Sequence, residues 1–315
     1  MIASTCPLRI SLVGGSTDHP AFLKKYGKGS VISFPSNLHV YTVLHRDVFG
    51  ATTINNEYII NYSKRENTSK VSDIQNELIR ECFEHLEVPP LNCFITSDVF
   101  SNGSGLAASS AYLISLIKAV NLMKGVYKSD FEVCKIANEI EKKFNPLVGQ
   151  QDFYGSMSGF KRITFGYDSD PEFKYFDGGI LNSLDMYIVY TGVSRSSTKI
   201  LQTINTEACV PLLKDVEDLE LAILNRDLDL FNSVIKRTWR NKKATSPSVC
   251  DTESLKKLDQ DIENDPRVLS HKLLGAGGGG YFLLFTNKGV EIDYPLCKKI
   301  ELSKDSISTI NLYGS

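Results

Sequence analysis

Asn102-Gly103-Ser104-Gly105-Leu106-Ala107-Ala108-Ser109-Ser110-Ala111 stands between a strand-like run, Leu91–Val99, and an apolar helical stretch from about Leu106 to Met123. A strand, a small-residue loop and a helix start aim several backbone N–H groups at one point, where the helix dipole favours negative charge. Gly103 and Gly105 allow a ligand close to the backbone. Ser104, Ser109 and Ser110 add hydroxyls suited to phosphate oxygens or a metal ion. Taken alone, the stretch fits a glycine-rich turn capping a core helix equally well.

The rest of the chain narrows the choice. Its 315 residues allow one large domain or two of ordinary size. The 37 acidic and 35 basic residues nearly balance, so no global charge points to nucleic acid or a membrane surface. The seven cysteines are scattered without a CxxC pair, which argues against a zinc cluster or disulfide framework and for a reducing compartment. The N-terminus lacks a signal-peptide profile and no apolar run is long enough to span a bilayer. A soluble cytoplasmic protein is expected.

In the first half, Leu8–Val13, Ser30–Phe34, Leu38–His45, Tyr58–Tyr62 and Leu91–Val99 read as strands. Helical periodicity covers Asp73–Leu86, with Ser72 or Asp73 as cap, and the segments 106–123 and 130–144. Phe160–Phe165 returns to strand, and Gly166–Pro171 reads as a polar turn. A new block opens near residue 184 with a strand at Met186–Thr191 and a long helical stretch to about Lys243. Strands at Lys272–Leu274 and Tyr281–Phe285 then flank a second glycine-rich loop. The mixed order predicts an α+β fold, with residues 1–183 and 184–315 as closely packed halves.

Three further places carry chemistry. Pro7 to Asp18 puts Arg9 in a strand and Asp18 after the double-glycine turn Gly14-Gly15-Ser16-Thr17. Arg suits a phosphate oxygen and Asp a pair of sugar hydroxyls. A strand–turn–helix corner capped by Asp18 accounts for the segment as well. Asp152 follows Gly149-Gln150-Gln151 in turn-forming sequence, and Glu141 precedes it on the helix before Asn145-Pro146. A helix cap and a solvated helix-face carboxylate are the ordinary readings of these two. Lys272-Leu-Leu-Gly275-Ala-Gly277-Gly278-Gly279-Gly280 is harder to dismiss, since four consecutive glycines between strands are tolerated where backbone must approach something closely.

Together the chain resembles the GHMP kinase superfamily over nearly its whole length. The carriers, in order, are Pro-x-Arg…Gly-Gly-x-Thr-Asp, Ser-Gly-Leu-x-x-Ser-Ser-Ala and Lys-x-x-Gly-Ala-Gly-Gly-Gly-Gly. Tyr190–Leu201, Trp239-Arg-Asn-Lys-Lys243 and the form Gly-Gly-Ser-Thr-Asp are most similar to the D-glycero-D-manno-heptose 7-phosphate kinases. The central motif departs from the family form at Ser101 for proline, Ala107 for the third glycine and Ala108 for the first serine.

The resemblance implies a GHMP kinase fold, with a ribosomal-S5-domain-2-like N-terminal ATP-binding half and a ferredoxin-like C-terminal half completing the substrate site. It implies ATP held by Gly103, Ser104, Gly105, Ala107, Ala108, Ser109 and Ser110, and Mg²⁺ held by Ser109 with Glu141. Asp152 is the implied catalytic carboxylate and Arg9 meets the transferred phosphate. Gly15, Ser16, Thr17, Asp18, Gly277 and Gly278 are the implied sugar contacts. For an acceptor that already bears a phosphate, Arg195 among Ser194, Ser196 and Ser197 is the candidate anion site; an exposed Arg in a capping-serine cluster is as good a reading. The basic run Lys236–Lys243 ordinarily marks a solvated helix face, and the subgroup match at Trp239 and Lys243 favours a share in the pocket.

The leading expectation is an ATP-dependent kinase acting on the anomeric hydroxyl of a heptose 7-phosphate, feeding nucleotide-sugar and surface-polysaccharide synthesis. Its partners are then the sugar phosphate and ATP, with no nucleic acid or membrane, as a monomer or homodimer. The alternatives are a related kinase for an unphosphorylated sugar or small alcohol, and a non-catalytic sugar- or nucleotide-binding regulator.

Overall fold

The computed structural model describes residues 1–100, 103–194 and 200–312. Two sheets organise them. The larger has eight strands: β1 (Ile2–Val13), β2 (Lys28–His45), β3 (Tyr58–Asn61), β4 (Arg65–Thr68), β5 (Asn92–Ser97), β6 (Phe160–Gly166), β7 (Glu172–Phe176) and β12 (Ser308–Asn311). The smaller is antiparallel, in the order β11-β8-β10-β9, from β8 (Leu184–Tyr190), β9 (Val268–Leu273), β10 (Tyr281–Asn287) and β11 (Cys297–Ile300).

The long strand β2 replaces the two strands expected around Pro35. Its first part pairs with β6 and its last part with β5, while β1 runs along the other side. Pro35 falls where the partner changes, and there its carbonyl accepts the amide of Ser303 at 2.7 Å. A proline is tolerated at such a break because no ladder N–H is demanded of it. The last strand, β12, leaves the second half of the chain and pairs antiparallel with β1. Strands β4 and β7, unexpected from sequence, are short edge strands; β4 is polar throughout, whereas β7 packs Phe173 and Phe176 against the core.

The helices follow the same logic. In chain order they are α1 (Pro20–Tyr26), α2 (Ala51–Ile54), α3 (Glu77–His85), α4 (Ala108–Met123), α5 (Asp130–Phe144), α6 (Gln151–Tyr154), α7 (Gly179–Asn182), α8 (Pro211–Asn225), α9 (Leu228–Ala244) and α10 (Glu253–Glu263). Helix α4 is buried on nearly every side and packs on β1 and β2, as an apolar helix without a polar face must. Helix α3 starts later than expected: residues 71–73 form a separate 3-10 turn and Asn76 is the cap. The expected long helix is two, because Arg226 turns left-handed (φ 52°) and Asp227 caps α9 through the Leu230 amide. Both α8 and α9 reach β1, which brings the second half of the chain to the Gly14–Asp18 turn. No helix among the described residues is long and apolar enough to cross a membrane.

Candidate active site

The three glycine-bearing segments meet at one pocket. Gly105 and Gly275 lie backbone against backbone: a Cβ on Gly105 would stand 2.3 Å from the Leu274 carbonyl oxygen, and one on Gly275 would stand 2.5 Å from Gly105 Cα. Gly280 meets Ser104 in the same way, at 2.4 Å from its carbonyl oxygen. The glycines of the last motif thus let the second half of the chain back the 103–110 loop. This close approach leaves Gly275 and Ala276 lining the pocket beside Gly103, Ser104, Gly105, Ala107, Ala108, Ser109 and Ser110.

Gly277 and Gly278, expected at the sugar, are not in that lining. Gly277 packs on Val249, and the Gly278 amide donates to the Val249 carbonyl at 2.7 Å. Thr17 is also withdrawn, fully buried with its hydroxyl donating to the carbonyls of Gly14 and Ser30. These residues shape the walls from behind. Arg195 lies outside the described residues.

Arg9 joins the loop to the carboxylate. Its Nη1 donates to the Gly105 carbonyl at 2.7 Å, and its Nε and Nη2 donate to Asp152 Oδ1 at 3.1 and 2.5 Å. Arg9 is buried while Asp152 is partly open to the pocket, so the cation positions and the carboxylate faces solvent. Behind them, Lys161 is fully buried and spans the turn after α6, donating to the carbonyls of Gly155, Met157, Ser158 and Gly159. A buried ammonium is tolerable only when so many acceptors replace water, and burial lowers its pKa to about 7.

Asp18 is held by Gln151 and its own turn. Oδ2 accepts the Gln151 amide at 2.9 Å, and Oδ1 accepts Gln151 Nε2 at 3.0 Å and the Ser16 amide at 3.2 Å. The wrap requires Gly149, where a Cβ would meet Asp18 Oδ2 at 2.2 Å. Asp18 does not cap α1; His19 does, its Nδ1 accepting the Ala21 amide. Burial raises the Asp18 carboxyl from 3.8 to about 6, so the folded protein holds a proton there that the unfolded chain has already released. Stability contributed by this group therefore falls as the pH rises from roughly 4 to 6. For Asp18→Asn, the melting temperature relative to the wild type should climb across that window and level off above it. A flat difference between pH 4 and 7 would count against the assignment.

The hydroxyl that meets Glu141 is that of Ser110, donating to Oε2 at 2.8 Å, whereas Ser109 is exposed at the pocket edge. The helix turn explains the exchange: Ser110 faces α5 and Ser109 faces out. Burial first, and then the charge of Asp152, raise the Glu141 carboxyl to about 7. A buried carboxyl and a hydroxyl side by side are hard oxygen donors that fit Mg²⁺ when substrate phosphates complete its shell.

Four pocket-lining atoms are buried without a hydrogen-bond partner: Ser11 Oγ, His19 Nε2, Asn145 Oδ1 and Gln151 Oε1. Such orphans cost free energy unless a ligand or water satisfies them. Two lysines also enter. Lys272 donates to the Ser11 carbonyl at 2.7 Å, and Lys242 to Ser16 Oγ at 2.5 Å. Lys272 opens the last glycine motif and was therefore in view. Lys242 was hidden in a basic run in which Arg237 pairs with Asp215 and Asp218, while Trp239 and Lys243 both bond Asp259.

Residues 74–160 match the family model for the GHMP kinases N terminal domain. The D-glycero-alpha-D-manno-heptose 7-phosphate kinase of Campylobacter jejuni is 26% identical, the match covering 91% of this chain and 89% of that protein. The chain carries a GHMP kinase N-terminal domain. The chain superimposes along its whole length on a structure from Bacteroides thetaiotaomicron described as a D-glycero-D-manno-heptose 1-phosphate kinase, with a TM-score of 0.75 at 20% identity and 100% of both chains covered. The mevalonate kinase of Methanococcus jannaschii shares the fold at a TM-score of 0.69 and 16% identity, covering 96% of this chain and 98% of that one. The GHMP kinase fold is thus present, and with it the class of ATP-dependent phosphotransferases acting on an alcohol group.

Proposed function

We propose that this sugar kinase transfers the γ-phosphoryl group of ATP to the anomeric hydroxyl of a heptose that already carries a 7-phosphate. The product is the 1,7-bisphosphate, a precursor for nucleotide-activated sugars. The observation that carries the reading is the junction of Arg9 with both Gly105 and Asp152, which ties the anion-binding loop and one carboxylate into a single unit.

In this reading the amides of Gly103–Ser110 receive the phosphates of ATP, and Ser110 with Glu141 holds Mg²⁺, Ser109 standing at the edge. The cation, when bound, neutralises charge on the phosphate oxygens. Both guanidinium contacts of Asp152 fall on Oδ1, so Oδ2 is assigned to the acceptor hydroxyl. As the sugar oxygen forms its bond to phosphorus and the bond to the β-phosphate oxygen breaks, the hydroxyl proton passes to Asp152. Arg9 keeps that carboxylate aimed, and Asp18 and Ser16 orient the sugar ring through its other hydroxyls. Positioning and charge neutralisation are what phosphoryl transfer asks of a protein. The relative in Campylobacter jejuni supports the choice of acceptor.

The test is ATP consumption over a panel of sugar phosphates and free sugars, with the phosphorylated position read by NMR. A heptose 7-phosphate should lead the panel and gain its phosphate at carbon 1. Faster turnover of an unphosphorylated sugar, or a product labelled elsewhere, would replace the reading by the broader one of a GHMP sugar kinase with another acceptor.

A further inference from the structure

The contacts in the pocket form a connected series. Glu141 meets Ser110 on the loop, Gly105 meets Arg9, and Arg9 meets Asp152. Next to Asp152 in the chain, Gln151 holds Asp18, which accepts the Ser16 amide, and Ser16 Oγ accepts Lys242. Lys242 therefore ends this series of contacts, which begins at the phosphate loop. Ser16 is kept there in a left-handed conformation (φ 84°) that a side chain adopts only under constraint.

A second, independent observation lies beside it. His19 is 5% exposed and lines the same pocket. Its Nδ1 accepts the Ala21 amide, so in the neutral ring the proton sits on Nε2, and Nε2 has no partner. Burial, and then the charge of Lys242, lower the His19 pKa and keep the ring neutral near pH 7. An ammonium and an N–H donor thus face one volume, walled by Leu201, Leu212 and Thr238. Lys272 lies nearby: burial first, and then the charges of Lys242 and Arg9, lower its pKa to about 7.

We propose that Lys242 and His19 bind the phosphate ester that the acceptor already carries, and so select phosphorylated over free sugars. This rests on the sugar-kinase reading and names the residues that set its specificity. Lys242 supplies the charge and His19 Nε2 a directed hydrogen bond, an arrangement suited to a dianion and without value for a hydroxyl-only acceptor.

The experiment is calorimetric titration, without nucleotide, of D-glycero-D-manno-heptose 7-phosphate and of the same heptose unphosphorylated. The wild type should bind the phosphate ester at least about tenfold more tightly. In Lys242→Gln the preference should shrink to about threefold or less, ATP affinity should stay unchanged, and Lys242→Arg should keep most of it. Should Lys242→Gln melt early, His19→Phe removes the second donor and is expected to weaken only the phosphate ester, by about three- to tenfold. No preference in the wild type overturns the proposal. So does a preference that survives in Lys242→Gln, or a matching loss of ATP affinity. If the preference is present and lost in the variants while no acceptor is phosphorylated, the anion site stands and the kinase reading falls.

Discussion

Asp152→Asn should lower turnover by about 10²- to 10⁴-fold while leaving ATP affinity within a factor of about two. Asn keeps the shape of the side chain and an oxygen for the Arg9 Nε and Nη2 donors, so the Arg9–Gly105 clamp survives. What disappears is the basic oxygen that, in the proposed mechanism, takes the acceptor's proton. Asp152 is more open than Arg9, with side chains 28% and 3% exposed, so the charge removed is the better solvated of the pair. The fold should therefore tolerate the change better than loss of Arg9, which would leave the loop carbonyl and the carboxylate without their shared donor. Single-turnover rates with ATP titrated separately decide the matter. Wild-type turnover in the variant would remove Asp152 from the chemistry.

Gly105→Ala is expected to be nearly as severe for a different reason. The new methyl would stand 2.3 Å from the Leu274 carbonyl oxygen at a φ of +74°. A left-handed alanine costs about 1–2 kcal/mol, and an overpacked contact against backbone about 1–3 kcal/mol more. The sum is a large part of the 5–15 kcal/mol that holds a typical domain folded. Gly125 supplies the control, with a φ of +66° and nothing within 4 Å of the added atom. Gly125→Ala should lose only the conformational part and keep ATP affinity. Gly105→Ala should melt markedly lower and bind ATP at least about tenfold more weakly, because the loop can no longer rest on residues 274–275. Equal melting shifts with unchanged ATP binding would show that the seam is not what shapes the loop.

What could be read from the chain was the local chemistry. The second half of strand β1, helices α4 and α5 and the loop between β5 and α4 are legible because apolar periodicity and glycine punctuation are strong there, whereas residues 2–7 of β1 were not read as strand. Strand β4 was not legible, since an edge strand with polar residues on both faces carries no alternation, and β7 was missed because its alternation runs over only five residues after a polar turn. Pro35 misled in the opposite sense, since it marks a change of partner within one strand rather than an end. At the site, Arg9 and Asp18 stand in the first motif, and Glu141 and Asp152 came into view through the roles that the resemblance implies. The exchange of Ser110 for Ser109 was not, because neighbouring serines are told apart only by the helix phase. Lys242 was lost among basic residues until α9 placed its last turn against Ser16. Ala107, conspicuous as a replacement for glycine, does take the left-handed conformation that glycine would supply (φ 59°) and opens α4 there.

The backing of the 103–110 loop by residues 274–280 also bears on biogenesis. A nascent chain emerging from the ribosome completes the first motif and the loop long before the stretch that presses on them is made. Any early fragment therefore carries the loop amides with no rear support, and competence should arise late and abruptly. Two separately expressed pieces, divided between β8 and β9, should each be inert and regain activity only when mixed.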